Sequence, residues 1–216
     1  MNRPISHNPS MSRRGSELRE HILYSAKSVF LEVGFERASM DMIAARAQTS
    51  KRTLYAHFES KEKLYLAIID IVREMYLSKL KTPSDYSSDP TEALVAFCGR
   101  YLESLVFIWT IRMCRLSIAE ADRFPEGSTQ YFDIIFSAPK ERLSQYLMET
   151  FLLDHDKASG AAQGLLAQIT YPKFQRALFG LDPLLQEAGN ETLPSSIDLE
   201  PIRQTVREFI ASMPSK

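Results

Sequence analysis

Nine consecutive residues, Ser50-Lys51-Arg52-Thr53-Leu54-Tyr55-Ala56-His57-Phe58, concentrate ammonium, guanidinium, hydroxyl and imidazole groups in two turns of chain. At helical spacing the two bases, the tyrosine and the histidine share one side, while Leu54 and Phe58 fall on the other. Such a segment anchors in a core through its apolar side and offers donors to phosphate oxygens and base edges through the other. That chemistry is recognition of a polyanion, with no bond to break.

The rest of the chain offers little to an enzyme. His7, His21, His57 and His155 are its histidines, none in a pair at metal-ligand spacing, and no Gly-rich phosphate loop or nucleophile elbow occurs. Asp154-His155-Asp156 is the one suggestive cluster, and a polar helix junction accounts for it. No catalytic residue, metal or cofactor is therefore expected. Cys98 and Cys114 read as reduced thiols of a cytoplasmic protein, and a redox switch is the lesser reading. The run from Leu102 to Ile111 is too short to span a bilayer and is interrupted by Glu103.

Charge is divided unevenly. Residues 1–63 carry 11 Lys and Arg against 7 Asp and Glu, and the remainder carries 15 against 20. A basic N-terminal part joined to an acidic one places the polyanion partner at one end.

Three elements must position the nine residues. Leu18, Ile22, Ala26, Val29, Phe30 and Val33 repeat at helical spacing up to Gly34, a residue suited to a left-handed C-cap. Ser39 is an N-cap for a short helix with Ile43, Ala44 and Ala47 inward, Ser50 caps the next, and Ser60 caps a fourth helix running toward Pro83. Residues 1–15, rich in Pro, Ser and Arg, read as a disordered arm, residues 16–62 as a tri-helical helix-turn-helix DNA-binding domain, and residues 63–216 as a larger helical domain. In the latter, helices are expected over 91–111, 112–122, 128–153, 156–179 and 199–211. Thr82–Pro90, Pro125-Glu126-Gly127 and Gly180–Ser196 are read as connections. The fold class is all-α.

The order Ser39-x-x-x-Ile43-Ala44-x-x-Ala47-x-x-Ser50-x-x-Thr53-x-Tyr55-x-His57-Phe58-x-x-Lys61-x-x-Leu64 resembles the N-terminal helix-turn-helix of the tetracycline-repressor (TetR) family of transcriptional regulators. Three positions depart from that pattern: Gln48 stands where glycine is common, Thr49 where valine is common, and Arg52 where glycine or alanine is frequent. The run Arg115-Leu116-Ser117-Ile118-Ala119-Glu120-Ala121-Asp122-Arg123-Phe124-Pro125 is similar to a signature of the AefR-like subgroup. The resemblance implies a homodimer that binds a pseudo-palindromic operator in double-stranded DNA, with repression relieved by a small apolar or aromatic effector. Carried over by position, it implies that Tyr55, His57 and Lys61 meet phosphates and that Lys51, Arg52 and Thr53 are best placed for base edges. Ser39 and Ser50 are caps beside the DNA, and Arg46 is either a backbone contact or a solvated side chain.

For the C-terminal part the residues leave more open. Phe97, Tyr101, Phe107, Trp109, Met113, Phe124, Tyr131, Phe132 and Phe136 could line a ligand cavity or simply fill a core. Ala158, Gly160, Ala161, Ala162 and Gly164 permit close helix approach, and Leu165, Leu166, Ile169, Ile202, Val206, Phe209 and Ile210 suggest a dimer face on the last two helices. A helical adaptor without DNA binding would explain this half but not Ser50–Phe58.

Overall fold

The computed structural model of the chain describes residues 9–187 and 197–213, with side chains from residue 15 onward. It divides into two compact units between Ile71 and Val72. The first contains α1 (Pro9–Val33), α2 (Met40–Arg46), α3 (Lys51–His57) and the start of α4 (Lys61–Lys79). The second holds the end of α4, then α5 (Pro90–Val106), α6 (Ile108–Ala119), α7 (Pro125–Phe132), α8 (Ala138–Phe151), α9 (His155–Thr170), α10 (Lys173–Leu178) and α11 (Glu200–Ala211). No strand occurs among the described residues, and no helix there is long and apolar enough to cross a membrane.

In the first unit, Ile22, Ala26, Val29 and Phe30 of α1 are all 2% exposed or less, as the helical period requires. Phe30, Phe35 and Tyr65 form a cluster with ring centroids 5.2–5.6 Å apart, two of the three pairs edge-on. Gly34 ends α1 at φ +82° and returns its amide to Phe30 O at 2.9 Å. The expected arm is corrected in part: α1 begins at Pro9, so residues 9–15 are helical, while residues 1–8 lie outside the described residues.

The second unit departs from the sequence reading at four points, each with a local cause. Phe107 (φ −69°, ψ 136°) separates α5 from α6, because Leu185 intrudes there: its amide donates to Val106 O at 3.1 Å and its carbonyl accepts from Ile108 N at 2.9 Å. Pro125 starts α7 instead of a loop; its fixed φ and absent N–H suit a first helical position. A π-helical turn, Asp133–Ser137, joins α7 to α8. The expected helix 156–179 is broken at Tyr171-Pro172, where proline has no amide to continue the ladder. Of the connection read over 180–196, residues 188–196 lie outside the described residues.

The proposed apolar dimer stripe also needs correction. Leu165, Leu166, Ile169, Ile202 and Val206 are all buried within the chain, where α9 packs on α8 and α11 lies against α5 and α9, while Phe209 and Ile210 of the same set are half-buried. Beyond its first turn, α9 leaves Gly160, Gln163, Gly164, Ala167 and Gln168 in solvent. The aromatic set splits: Phe97, Tyr101, Met113 and Tyr131 are buried, Phe107, Phe124 and Phe136 are half-buried, and Trp109 and Phe132 are exposed. Cys98 and Cys114 are both buried, and loss of hydration pushes each thiol up to about 12, so neither is a thiolate near neutral pH. That removes the basis for a redox switch through them.

Candidate nucleic-acid interface

Two serines open α2 and α3 in the same way.

 Ser39 Oγ accepts from Met42 N at 3.2 Å to open α2, and Ser50 Oγ accepts from Thr53 N at 3.0 Å to open α3. Ser60 does the same for α4, accepting from Lys63 N at 3.2 Å. Each cap satisfies an amide that the first helical turn cannot.

Between α2 and α3 the chain turns through Gln48, whose φ of +49° lies in the left-handed region. Gln48 N donates to Ala45 O at 3.2 Å and Thr49 N to Ala44 O at 3.0 Å, the two-bond closure that usually carries glycine. The turn that glycine would have made easily is thus retained with a glutamine. Ala44 and Ala47, 5% and 3% exposed, keep α2 and α3 close.

The orientation of α3 follows from its apolar side. Leu54 is fully buried and Phe58 is 4% exposed, with the Arg19 guanidinium 5.0 Å from the Phe58 ring centroid. Burying Leu54 contributes about 1.5–3 kcal/mol and fixes the rotation of the helix. Lys51, Arg52 and Tyr55 consequently face solvent, while Thr53 and His57 are half-buried. The structure therefore brings Ser39, Arg46, Ser50, Lys51, Arg52, Thr53, Tyr55 and His57 together on α2, α3 and their caps.

Charges on this face are largely paired. Arg46 grips Glu32 through two hydrogen bonds of 2.8 and 2.6 Å, which hold the guanidinium's pKa up and the carboxyl's down. Lys51 Nζ lies 2.8 Å from Asp41 Oδ1 and donates to its Oδ2 at 3.1 Å, and that hydrogen bond raises the lysine's pKa. Both pairs are exposed, so each is weak and can be exchanged for a phosphate. Arg52 has no ion pair or hydrogen bond among the described residues, and so its guanidinium is available for a base edge or phosphate.

Lys61 has a different place from the one its position in the motif implies. Its ammonium donates to Phe35 O at 2.8 Å, Ala38 O at 3.0 Å and Glu36 O at 3.3 Å, and lies 4.5 Å from the Phe35 ring centroid. An ammonium has three protons, and here each has a carbonyl. Lys61 closes the turn between α1 and α2. Motif reasoning missed this contact because it joins residues 23 to 26 apart. The Glu32–Arg46 and Asp41–Lys51 pairs were likewise unmarked, although opposite charges on neighbouring helices were a usable signal.

Residues 22–68 match "Bacterial regulatory proteins, tetR family", and residues 92–199 match "AefR-like transcriptional repressor, C-terminal domain". The HTH-type transcriptional activator FasR of Mycolicibacterium smegmatis is 46% identical over 63 residues, a match covering 27% of this chain and 29% of FasR. The chain thus spans less than a third of that relative's length. Among solved structures, a TetR-family regulator from Mesorhizobium loti superposes with a TM-score of 0.72 at 22% identity, covering 92% of this chain and 97% of that one. The flavonoid-responsive regulator FrrA superposes with a TM-score of 0.70 at 28% identity, covering 91% and 94%. The chain belongs to the tetR family of bacterial regulatory proteins and carries an AefR-like C-terminal domain.

Proposed function

We propose that the protein is a homodimeric transcriptional regulator that binds a pseudo-palindromic operator through α3 and is released from it by a small aromatic effector. The observation that carries this reading is the two-sided construction of α3. Leu54 and Phe58 are buried behind it, and Lys51, Arg52 and Tyr55 stand in solvent in front. Tyr55 and His57 set register on phosphates, while Arg52, with Lys51 and Thr53, reads bases in the major groove. Repression is supported by the match to a repressor's C-terminal domain, and an aromatic effector by the likeness to a flavonoid-responsive regulator.

The dimer is assigned to α9 and α11, on a face different from the apolar stripe. Gly160 and Gly164 are both solvent-exposed in mid-helix, where each costs about 1 kcal/mol relative to alanine. A second helix backbone approaching that face gives these glycines a use.

Selection of bound duplexes from a random pool by the full-length protein tests the reading. It should return two half-sites about 34–36 Å apart, or a multiple of that spacing. Arg52→Ala should then cost about 1–3 kcal/mol on the preferred site and relax one base position per half-site. Recovery of no preferred duplex, or an unchanged consensus with Arg52→Ala, would refute operator reading or the role of Arg52 respectively.

A further inference from the structure

A groove of about 420 Å³ opens in the second unit between α5, the α7–α8 run and α9. That volume suits a small ligand of one or two rings. Its walls include Tyr101, Phe132, Phe136, Ser137, Lys140 and Thr170. Phe132 is 57% exposed, with its ring centroid 5.0 Å from that of half-buried Phe136, which in turn meets Phe174 edge-on at 5.6 Å. An exposed phenylalanine backed by two more rings is an aromatic surface awaiting a cover.

Five polar side chains line this wall, Tyr101, Ser137, Lys140, Gln163 and Thr170, and two of them are committed. Ser137 Oγ donates to Asp133 at 2.9 Å and Thr170 Oγ1 to Leu166 O at 2.9 Å. Lys140 makes one hydrogen bond, to Ser159 Oγ at 3.2 Å, and has no carboxylate in ion-pair range among the described residues. Two of its protons are therefore unused. Tyr101 is only 3% exposed, yet its hydroxyl has no hydrogen-bond partner among the described residues. Burial holds that phenol above its ordinary pKa, so it remains a donor. Tyr101 lines the groove, and a ligand oxygen there would give its hydroxyl an acceptor.

The π-helical turn Asp133–Ser137 lies at this wall, between Phe132 and Lys140. Such turns are rare and recur at functional sites, because the extra residue re-aims the side chains around them.

We propose that this groove is the effector site and that it takes an aromatic anion. The ring lies on Phe132 and Phe136, and an anionic oxygen accepts from the Lys140 ammonium and the Tyr101 hydroxyl. This deepens the regulator reading above, and rests on it for the word effector; the binding site itself does not depend on it.

Calorimetric titration of the full-length protein with 2-naphthoate, and with the neutral isostere 2-naphthamide, tests the charge requirement. The naphthoate should bind one per protomer and about tenfold or more tightly than the amide, since a charge-assisted hydrogen bond is at stake. Lys140→Met should erase that preference while leaving the amide's affinity unchanged, and Phe136→Ala should weaken both compounds alike. Equal affinities in the wild type, a preference that survives Lys140→Met, or no saturable naphthoate binding would overturn the proposal. Gel shifts on the selected operator separate the two readings. Selective naphthoate binding by a chain with no operator refutes the regulator and upholds the groove; operator binding with no charge preference does the reverse.

Discussion

The outer faces of α3 and α9 are both left open in the protomer, and they are built from opposite materials. α3 presents Lys51, Arg52 and Tyr55, long side chains ending in donors, whereas α9 presents the stripe Gly160, Gly164 and Gln168, beside the Gln163 and Ala167 that line the groove. A face that must reach phosphates and base edges across a groove needs length and charge. A face that must admit another helix needs the absence of side chains. The first kind of surface is marked by what is there and the second by what is missing, which is why the reading helix is plain in the sequence and the dimer face is not.

The largest effect should come from filling the missing volume. A side chain at Gly160 or Gly164 would meet no other part of the chain within 4 Å beyond its own helix backbone, so Gly164→Glu should fold unimpaired and even gain helix stability of about 0.5–1 kcal/mol. The proposed interface would nevertheless receive a charge on each protomer. Sedimentation should show monomers, and operator affinity should fall by about 10²- to 10⁴-fold as the linked second half-site contact is lost. An intact dimer with both Gly160→Glu and Gly164→Glu would move the interface off this face. Leu166→Glu would not decide the matter, because Leu166 is 5% exposed within the protomer and the charge would disrupt the fold.

How legible each region was follows from the range of the contacts involved. Ser39, Ser50 and Ser60 are caps as their positions suggested, since a cap is a contact over three residues. Gly34 takes the left-handed conformation expected of it, and Leu54 and Phe58 are buried as their spacing required. What failed was nonlocal. The break at Phe107 depends on Leu185, and the burial of Leu166 on how α9 meets its neighbours. Pro125 is an exception, because its preference for a first helical position was a local rule that the loop reading overlooked.

Lys61 gives the next largest effect and sharpens the contrast within the DNA-binding unit. Lys61→Met keeps the apolar stem and removes the ammonium that holds Phe35 O, Glu36 O and Ala38 O. Stability should fall by about 1–2 kcal/mol, discounted for the part-exposed carbonyls, and the salt dependence of operator binding should be unchanged. Arg52→Ala should show the converse, a weaker operator complex at unaltered stability. A salt slope reduced by about one unit with Lys61→Met, at full stability, would restore the phosphate contact that the motif implies.

The smallest effect concerns two turns that use the same backbone region with different residues. Gly34 at φ +82° and Gln48 at φ +49° each follow a helix end, and a side chain in that region costs about 1–2 kcal/mol. The Gln48 side chain is exposed and makes no hydrogen bond among the described residues, so nothing local offsets that cost. Gln48→Gly relieves the strain but gives the unfolded chain more freedom, worth about 0.4–1 kcal/mol in the other direction. The net gain should be about 0.5 kcal/mol, read as slower amide hydrogen exchange in α2 and α3 of the full-length protein. Gly34→Ala should do the opposite, speeding exchange at the end of α1 by an amount corresponding to about 1 kcal/mol. Operator affinity should be unaltered by Gln48→Gly if the residue only turns the chain. Faster exchange, or weaker operator binding at equal exchange, would show that Gln48 itself touches something in the working complex, and that this departure from glycine serves recognition and not merely the turn.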